Sequence, residues 1–278
     1  MTEKNGILTF ESDKDSTGLE MDNYSQRNNE LVFPNPKKYP KSQYTSSWKN
    51  MCNVTSMVMG LSYSGWIFPS GIYKQPEDNL GYFILTDKNV LDYYAKTVPS
   101  YYNCWQRSLT GKCTEAEVKK ELIYPPTELH DTLSYGARQW LDAPATKFST
   151  NVNFLEALWN NMVKDNLPIV ISTTFGGFGH IVCCTGVQYK KEDYLAISKD
   201  FSQIKARDPE TGKLLHAPYA IIVDDPWGKY NPNTNKYDAP NGGNDIVVPW
   251  DVVVNRVKPA GSDNNKWAHT FAHAPALV

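Results

Sequence analysis

Apolar residues change their spacing several times along the chain, and each change marks a predicted element. Residues 1–40 are polar, rich in Asp, Asn, Ser and Lys, and show no sustained period; they end in Phe33-Pro34-Asn35-Pro36-Lys37-Lys38-Tyr39-Pro40. That stretch reads as an extended polar N-terminal arm, and the folded domain is expected to run from residue 41 to residue 278. From Cys52 onward, Val54, Met57, Val58 and Leu61 recur at i, i+3, i+4 and i+7, which predicts one face of a helix. Gly65 and Pro69 stop it. Val90, Leu91, Tyr94 and Val98 predict a helix over residues 86–98 that Pro99 closes, and Thr114 with Glu117 reads as the capping box of a short charged helix over Thr114–Ile123. Residues 99–150 are aromatic and irregular, part of a helical and aromatic insertion spanning about 65–150.

Beyond Asn153 the pattern switches twice. Asn153 and Glu156 cap a helix whose buried stripe is Leu155, Leu158, Trp159 and Met162. After Asn166 the period becomes strand-like in Pro168-Ile169-Val170-Ile171-Ser172-Thr173-Thr174. A glycine-rich turn, Phe175 to Gly179, leads into a second strand from His180 to Val187, and Tyr219 to Asp224 predicts a third, ended by Asp225-Pro226-Trp227-Gly228. Lys229–Asn244 reads as a long polar loop, Asp245–Val248 as a short strand, and Trp250–Val257 as a last helical turn or strand. Helices first and an antiparallel meander after indicate an α+β fold.

Composition narrows the classes. With 278 residues, 41% hydrophobic and 21% charged, the chain can bury a substantial core. A net charge of −2 leaves no footprint for nucleic acid or an anionic membrane, and no apolar run approaches the roughly 18 residues needed to span a bilayer. The first residues carry the acids Glu3, Glu11, Asp13 and Asp15 without an apolar signal core, so the expectation is cytoplasmic synthesis without a signal peptide. Five cysteines do not complete a disulfide framework. Cys104 and Cys113 are near enough in sequence to bridge, with two free thiols the favoured reading.

Three separated residues then acquire a chemical meaning. Cys52 opens the helical stripe, where unpaired N–H groups and the helix dipole favour a thiolate over a thiol of ordinary pKa near 8.5. His180, at the first position of a strand after Gly176-Gly177-Phe178-Gly179, can pair with that thiolate and later protonate a leaving amine. An imidazole in this role needs an acceptor on its other nitrogen. Asp224 or Asp225 lies at the end of the neighbouring strand, and alternation lets only one of them face the histidine. Gln43, nine residues before Cys52, is the candidate side-chain donor to an oxyanion.

The blocks Ser42-Gln43-Tyr44, Trp48 and Cys52-Asn53-Val54-Thr55-Ser56-Met57-Val58-Met59 resemble the cysteine block of papain-like cysteine peptidases. The nearest branch in this resemblance is the stand-alone relatives of the bacteriocin double-glycine leader peptidases (peptidase C39-like). Leu167–Ser172 with Gly179-His180-Ile181-Val182 resembles that family's histidine block, and Val223-Asp224-Asp225-Pro226-Trp227-Gly228 its final aspartate block. The resemblance implies a papain-like fold with the nucleophile helix packed on a C-terminal antiparallel sheet. It also implies Cys52 as nucleophile, His180 as acid/base, Gln43 as oxyanion donor and Asp225 as the residue that orients the histidine. Asn53-Val54 stands where Gly-Pro is commoner, the insertion is long, and no transporter portion accompanies the chain.

These readings predict a cofactor-free cysteine peptidase acting through a thioester, with peptidoglycan stem peptides as substrate and release to the wall by phage lysis or virion delivery. A cytoplasmic or leader-processing protease, an acyl transferase and a non-catalytic binding protein on a peptidase-like fold are the alternatives. His269-x-x-x-His273 has helical ligand spacing but lacks the acid of a zinc motif. Asp238, Asp245 and the Asn-rich loop between them fit no calcium-loop spacing and read as a solvated loop. Eight tryptophans and seventeen tyrosines could stack on sugar rings, though core packing accounts for most of them.

Overall fold

The computed structural model describes residues 1–13, 24–31, 51–110, 112 and 125–276. Two short strands come first, β1 (Thr2–Lys4) and β2 (Ile7–Glu11). They form an antiparallel hairpin around Asn5 and Gly6, whose φ values of 52° and 74° suit a two-residue turn. The expectation of an extended arm over residues 1–40 is therefore corrected for residues 2–11. Leu8 and Phe10 point from β2 into the core, and burying them outweighs the polar character of the surrounding stretch.

Helix α1 (Cys52–Tyr63) follows the predicted stripe but is buried nearly all round, as its apolar composition requires. The insertion is more regular than its sequence suggests. It holds α2 (Pro76–Thr86), α3 (Lys88–Thr97), α4 (Pro99–Leu109) and α5 (His130–Leu141). Pro99 does not close a helix into irregular chain; it occupies the first turn of α4, where its missing N–H costs nothing. Thr114–Ile123 lies outside the described residues.

The remaining elements are β3 (Thr146–Asn153), the short α6 (Phe154–Ala157) running into a π-helical segment (Leu158–Lys164), β4 (Ile169–Thr173), β5 (His180–Lys190) and α7 (Lys191–Lys199). Then come β6 (Ala220–Asp224), β7 (Lys229–Asn231), β8 (Lys236–Ala239), β9 (Ile246–Pro249), α8 (Trp250–Arg256) and β10 (Asn265–Phe271). Asn153 caps α6 as expected, its side chain accepting from Glu156 N–H at 3.3 Å. The expected loop over Lys229–Asn244 instead contains the β7–β8 hairpin.

Among the described residues, all strand pairings are antiparallel. The main sheet runs β1-β2-β5-β4-β10-β3, with β6 and then β9 on the other side of β5. Long β5 pairs with β4 through residues 180–184 and with β2 through residues 186–190. Each sheet face carries its own core. One face packs Val54, Met57, Val58 and Leu61 of α1 against Val170, Ile181 and Cys183, while the other buries Leu158, Trp159, Val182, Cys184 and Val223. The architecture is α+β, and it sets the start of α1 beside the start of β5: Ser56 Oγ donates to Ile181 O at 3.1 Å.

Candidate functional site

Cys52 is the first residue of α1 and is half-buried. Its neighbour fixes the helix start. Asn53 Nδ2 donates to Thr127 O, and Asn53 Oδ1 accepts from Val54 N at 2.9 Å. Helix geometry leaves the first N–H groups without intrahelical backbone partners, and Asn53 Oδ1 takes that of Val54.

His180 opens β5, and the ladder holds it from behind. It lies opposite Thr173 of β4, whose hydroxyl donates to His180 O at 3.1 Å. The preceding turn folds back because Gly176 takes φ 69°, and an added Cβ there would lie 2.7 Å from Phe178 and 2.8 Å from Tyr237.

Asp225 follows β6 directly, and Gly243 secures its backbone. Asp225 N donates to Gly243 O at 2.7 Å, and a Cβ on Gly243 would lie 2.0 Å from Asp225 O. The carboxylate accepts from three donors: His180 Nε2 at 2.7 Å, Trp227 N at 2.8 Å and Tyr237 Oη at 2.8 Å. Both His180 and Asp225 are 2% exposed.

With Nε2 committed to Asp225, Nδ1 is the ring nitrogen left to face Cys52, which lies near enough for its charge to act on the imidazole. Burial alone pulls the imidazole down. The Asp225 charge and hydrogen bond oppose it, Cys52 adds to them, and together they push His180 up to about 10. The arrangement therefore keeps a proton on the imidazole at neutral pH.

Asp224 points elsewhere. It lies opposite Cys183 and accepts from Tyr63 Oη at 2.7 Å and from Asp245 N at 3.0 Å. Burial, followed by the Asp224 charge, pushes the Tyr63 hydroxyl far above its usual range, so it remains a donor. The structure thus brings Cys52, His180 and Asp225 together and leaves Asp224 on the α1 face of the sheet. Gln43 lies outside the described residues.

Sequence reasoning missed Tyr237, which reaches Asp225 from the β7–β8 hairpin. Burial and then the Asp225 charge raise its hydroxyl as well. Lys236-Tyr237-Asp238 alternates as a strand would, and this was the available signal. Aromatic rings close the surroundings of the imidazole. Phe178 and Trp227 have centroids 5.8 and 6.5 Å from the His180 ring, and Arg27 stacks 4.6 Å above Trp227.

The other candidates separate. His269 sits in β10 rather than on a helix; its Nε2 lies 2.8 Å from His130 Nδ1, whereas His273 Nε2 donates to Asp165 O at 2.7 Å. Those two histidines therefore share no ligand position. Asp238 accepts from Asn231 across its hairpin at 3.0 Å, apart from Asp245. Cys113, the other cysteine of the pair considered with Cys104, lies outside the described residues. Among the described residues, no helix is long and apolar enough to cross a membrane. No family model, no curated protein and no solved structure matches the chain.

Proposed function

We propose that this chain is a cysteine peptidase of papain-like fold with Cys52, His180 and Asp225 as its triad. The observation that carries the reading is the buried 2.7 Å contact between His180 Nε2 and Asp225 Oδ1, made by an imidazole on which Cys52, at a helix start, also acts.

In this reaction the Cys52 thiolate attacks the carbonyl carbon of a peptide or amide bond, forming a C–S bond as the carbonyl π electrons move to oxygen. N–H groups at the start of α1 hold the oxyanion, with Gln43 as the side-chain donor implied by the resemblance. The imidazolium of His180 protonates the amine as the C–N bond breaks, leaving a thioester. Neutral His180 then takes a proton from water as the water oxygen attacks the thioester carbonyl, the C–S bond breaks to restore the thiolate, and the acid product leaves, giving its proton to solvent. Asp225 holds the ring throughout and stabilises its cationic form. No cofactor enters these steps.

For the substrate, we propose peptide bonds of bacterial peptidoglycan, reached by phage lysis or virion delivery. Support comes from the resemblance to stand-alone members of the branch. The test is mass spectrometry of purified peptidoglycan treated with wild type and with Cys52→Ala. New free amines without new reducing ends, from wild type alone, are the expected result. Absence of any release, together with a Cys52 that resists iodoacetamide at neutral pH, would overturn the enzymatic reading. A reactive thiol without release would keep the peptidase chemistry and transfer the substrate to proteins.

A further inference from the structure

A second polar cluster lies at the opposite end of α1, and strand alternation shows how it is assembled. On β5, Val182, Cys184, Val187 and Tyr189 belong to one core, while Ile181 and Cys183 belong to the core beneath α1. The parity changes because the β5–β6 register shifts between Cys184 and Gly186. Thr185 and Gly186 consequently both face the α1 side, with Cys183. Across the sheet Glu11 opposes Gly186, and Ser12 N donates to Thr185 O at 2.8 Å. Thr185 is therefore level with Ser12, between Glu11 and Asp13. The charge of Asp13 acts on both Tyr63 and Cys183, which places its carboxylate on this same face. Asp245 joins from the segment before β9, positioned by its N–H on Asp224 Oδ1.

Two observations point to a ligand. One carboxylate oxygen from each of Glu11, Asp13 and Asp245 lies within 4.8 Å of the others. Independently, Thr185 is 0% exposed and its hydroxyl makes no hydrogen bond. A buried hydroxyl is costly to leave without a partner. Carboxylate and hydroxyl oxygens are the donors that hard divalent cations prefer. Calcium takes oxygen ligands at about 2.3–2.6 Å, so two ligands on opposite sides of one ion stand about 4.6–5.2 Å apart, and adjacent ones closer. The observed convergence fits that span.

We propose that Glu11, Asp13, Asp245 and the Thr185 hydroxyl bind one divalent cation of the calcium class. The ion would join three segments remote in sequence: the end of β2, the bulge of β5 and the segment leading into β9. Its nearest link to the candidate active site is short, because Gly243, two residues before Asp245, accepts the N–H of Asp225. The site does not depend on the peptidase reading, since none of its ligands belongs to the triad.

The test uses the full chain, stripped with a chelator and titrated with calcium by calorimetry, with terbium luminescence and its displacement by calcium as a second readout. One saturable site per chain is expected, with a thermal midpoint that rises with calcium. Glu11→Gln and Asp13→Asn should each weaken binding by at least about tenfold, since charge count tunes such sites. Thr185→Val, close to isosteric, keeps the fold measurable if removal of a carboxylate does not; it should weaken binding while leaving the calcium-free melting curve intact or raised. Absence of saturable binding up to about 10 mM calcium, beyond the roughly 1 mM of weak extracellular sites, would overturn the proposal and assign the cluster to a shared proton or a basic side chain. Unchanged affinity in all three variants would overturn it equally.

Discussion

Replacing Asp225 with asparagine preserves the shape of the side chain and removes its charge from beside a buried imidazole. In the native protein burial pulls His180 down, and the Asp225 charge and hydrogen bond, with Cys52, together overcome it and hold the imidazole at about 10, against 6.5 for an ordinary histidine. The difference is roughly 3.5 units, which at ~1.36 kcal/mol per unit gives the imidazolium at most about 5 kcal/mol of stabilisation by the fold. That matches the ~3–5 kcal/mol usually lost when one partner of a buried ion pair is removed. The sign follows from a folded-state value above the unfolded one. Stability from this group is present in full below pH 6.5 and is lost as pH rises through about 10. Denaturant unfolding between pH 6 and pH 10 should therefore show the gap between wild type and Asp225→Asn narrowing as pH rises. In the variant, burial is opposed by Cys52 without the Asp225 charge, and His180 should be neutral at pH 7, as a side-chain NMR titration would read directly; iodoacetamide labelling of Cys52 should slow accordingly. A variant whose His180 still carries its proton at pH 8, or a stability gap independent of pH, would refute the assignment of the shift to Asp225.

Two further substitutions probe the supports of the site. Gly243→Ala sets a methyl group 2.0 Å from Asp225 O, so it should cost about 1–3 kcal/mol as overpacking does and also slow Cys52 labelling, the second effect separating it from simple destabilisation. Tyr63→Phe leaves Asp224 without its 2.7 Å donor and should lose about 1–3 kcal/mol in denaturant unfolding; because Tyr63 lies eleven residues along α1 from Cys52, roughly 16 Å at helical rise, labelling of Cys52 should not change.

Elements whose burial follows their hydrophobic period could be read from the sequence. Helix α1, strands β4, β5 and β6 and the Asn153 cap fall where the apolar spacing and the cap residue place them. The same regularity set Cys52 and His180 at element starts, and the Asp224–Asp225 ambiguity needed only the direction in which β6 ends. What stayed hidden is where polar residues are buried. Strand β10 carries Lys266 and His269 at 0% exposure, and Lys266 Nζ donates to Val257 O at 2.6 Å and Pro259 O at 2.9 Å, so backbone carbonyls replace the water its charge would otherwise require. Helix α2 hides similarly, with Glu77 buried and pushed up to about 7 by that burial, and with Asp78 accepting from Glu30 N and Leu31 N. Asn5-Gly6, by contrast, was a readable hairpin turn passed over because its strands are short. Tyr237 illustrates the remaining difficulty: it serves Asp225 through a tertiary contact between a hairpin and a turn, which no local period encodes.

The N-terminal hairpin also bears on the order in which the molecule can be assembled. Strand β2 leaves the ribosome well before its partner on β5, the stretch Gly186–Lys190. Gln188 Nε2 bonds Thr9 Oγ1 across 179 positions of chain. During synthesis, Leu8 and Phe10 thus have no partner on β5 until the chain has been extended through Val187 and Tyr189, and joining segments so distant belongs among the slow, entropy-limited steps of folding. The sheet that carries His180 can close at this edge only once β5 has been made, with β2 waiting for its place.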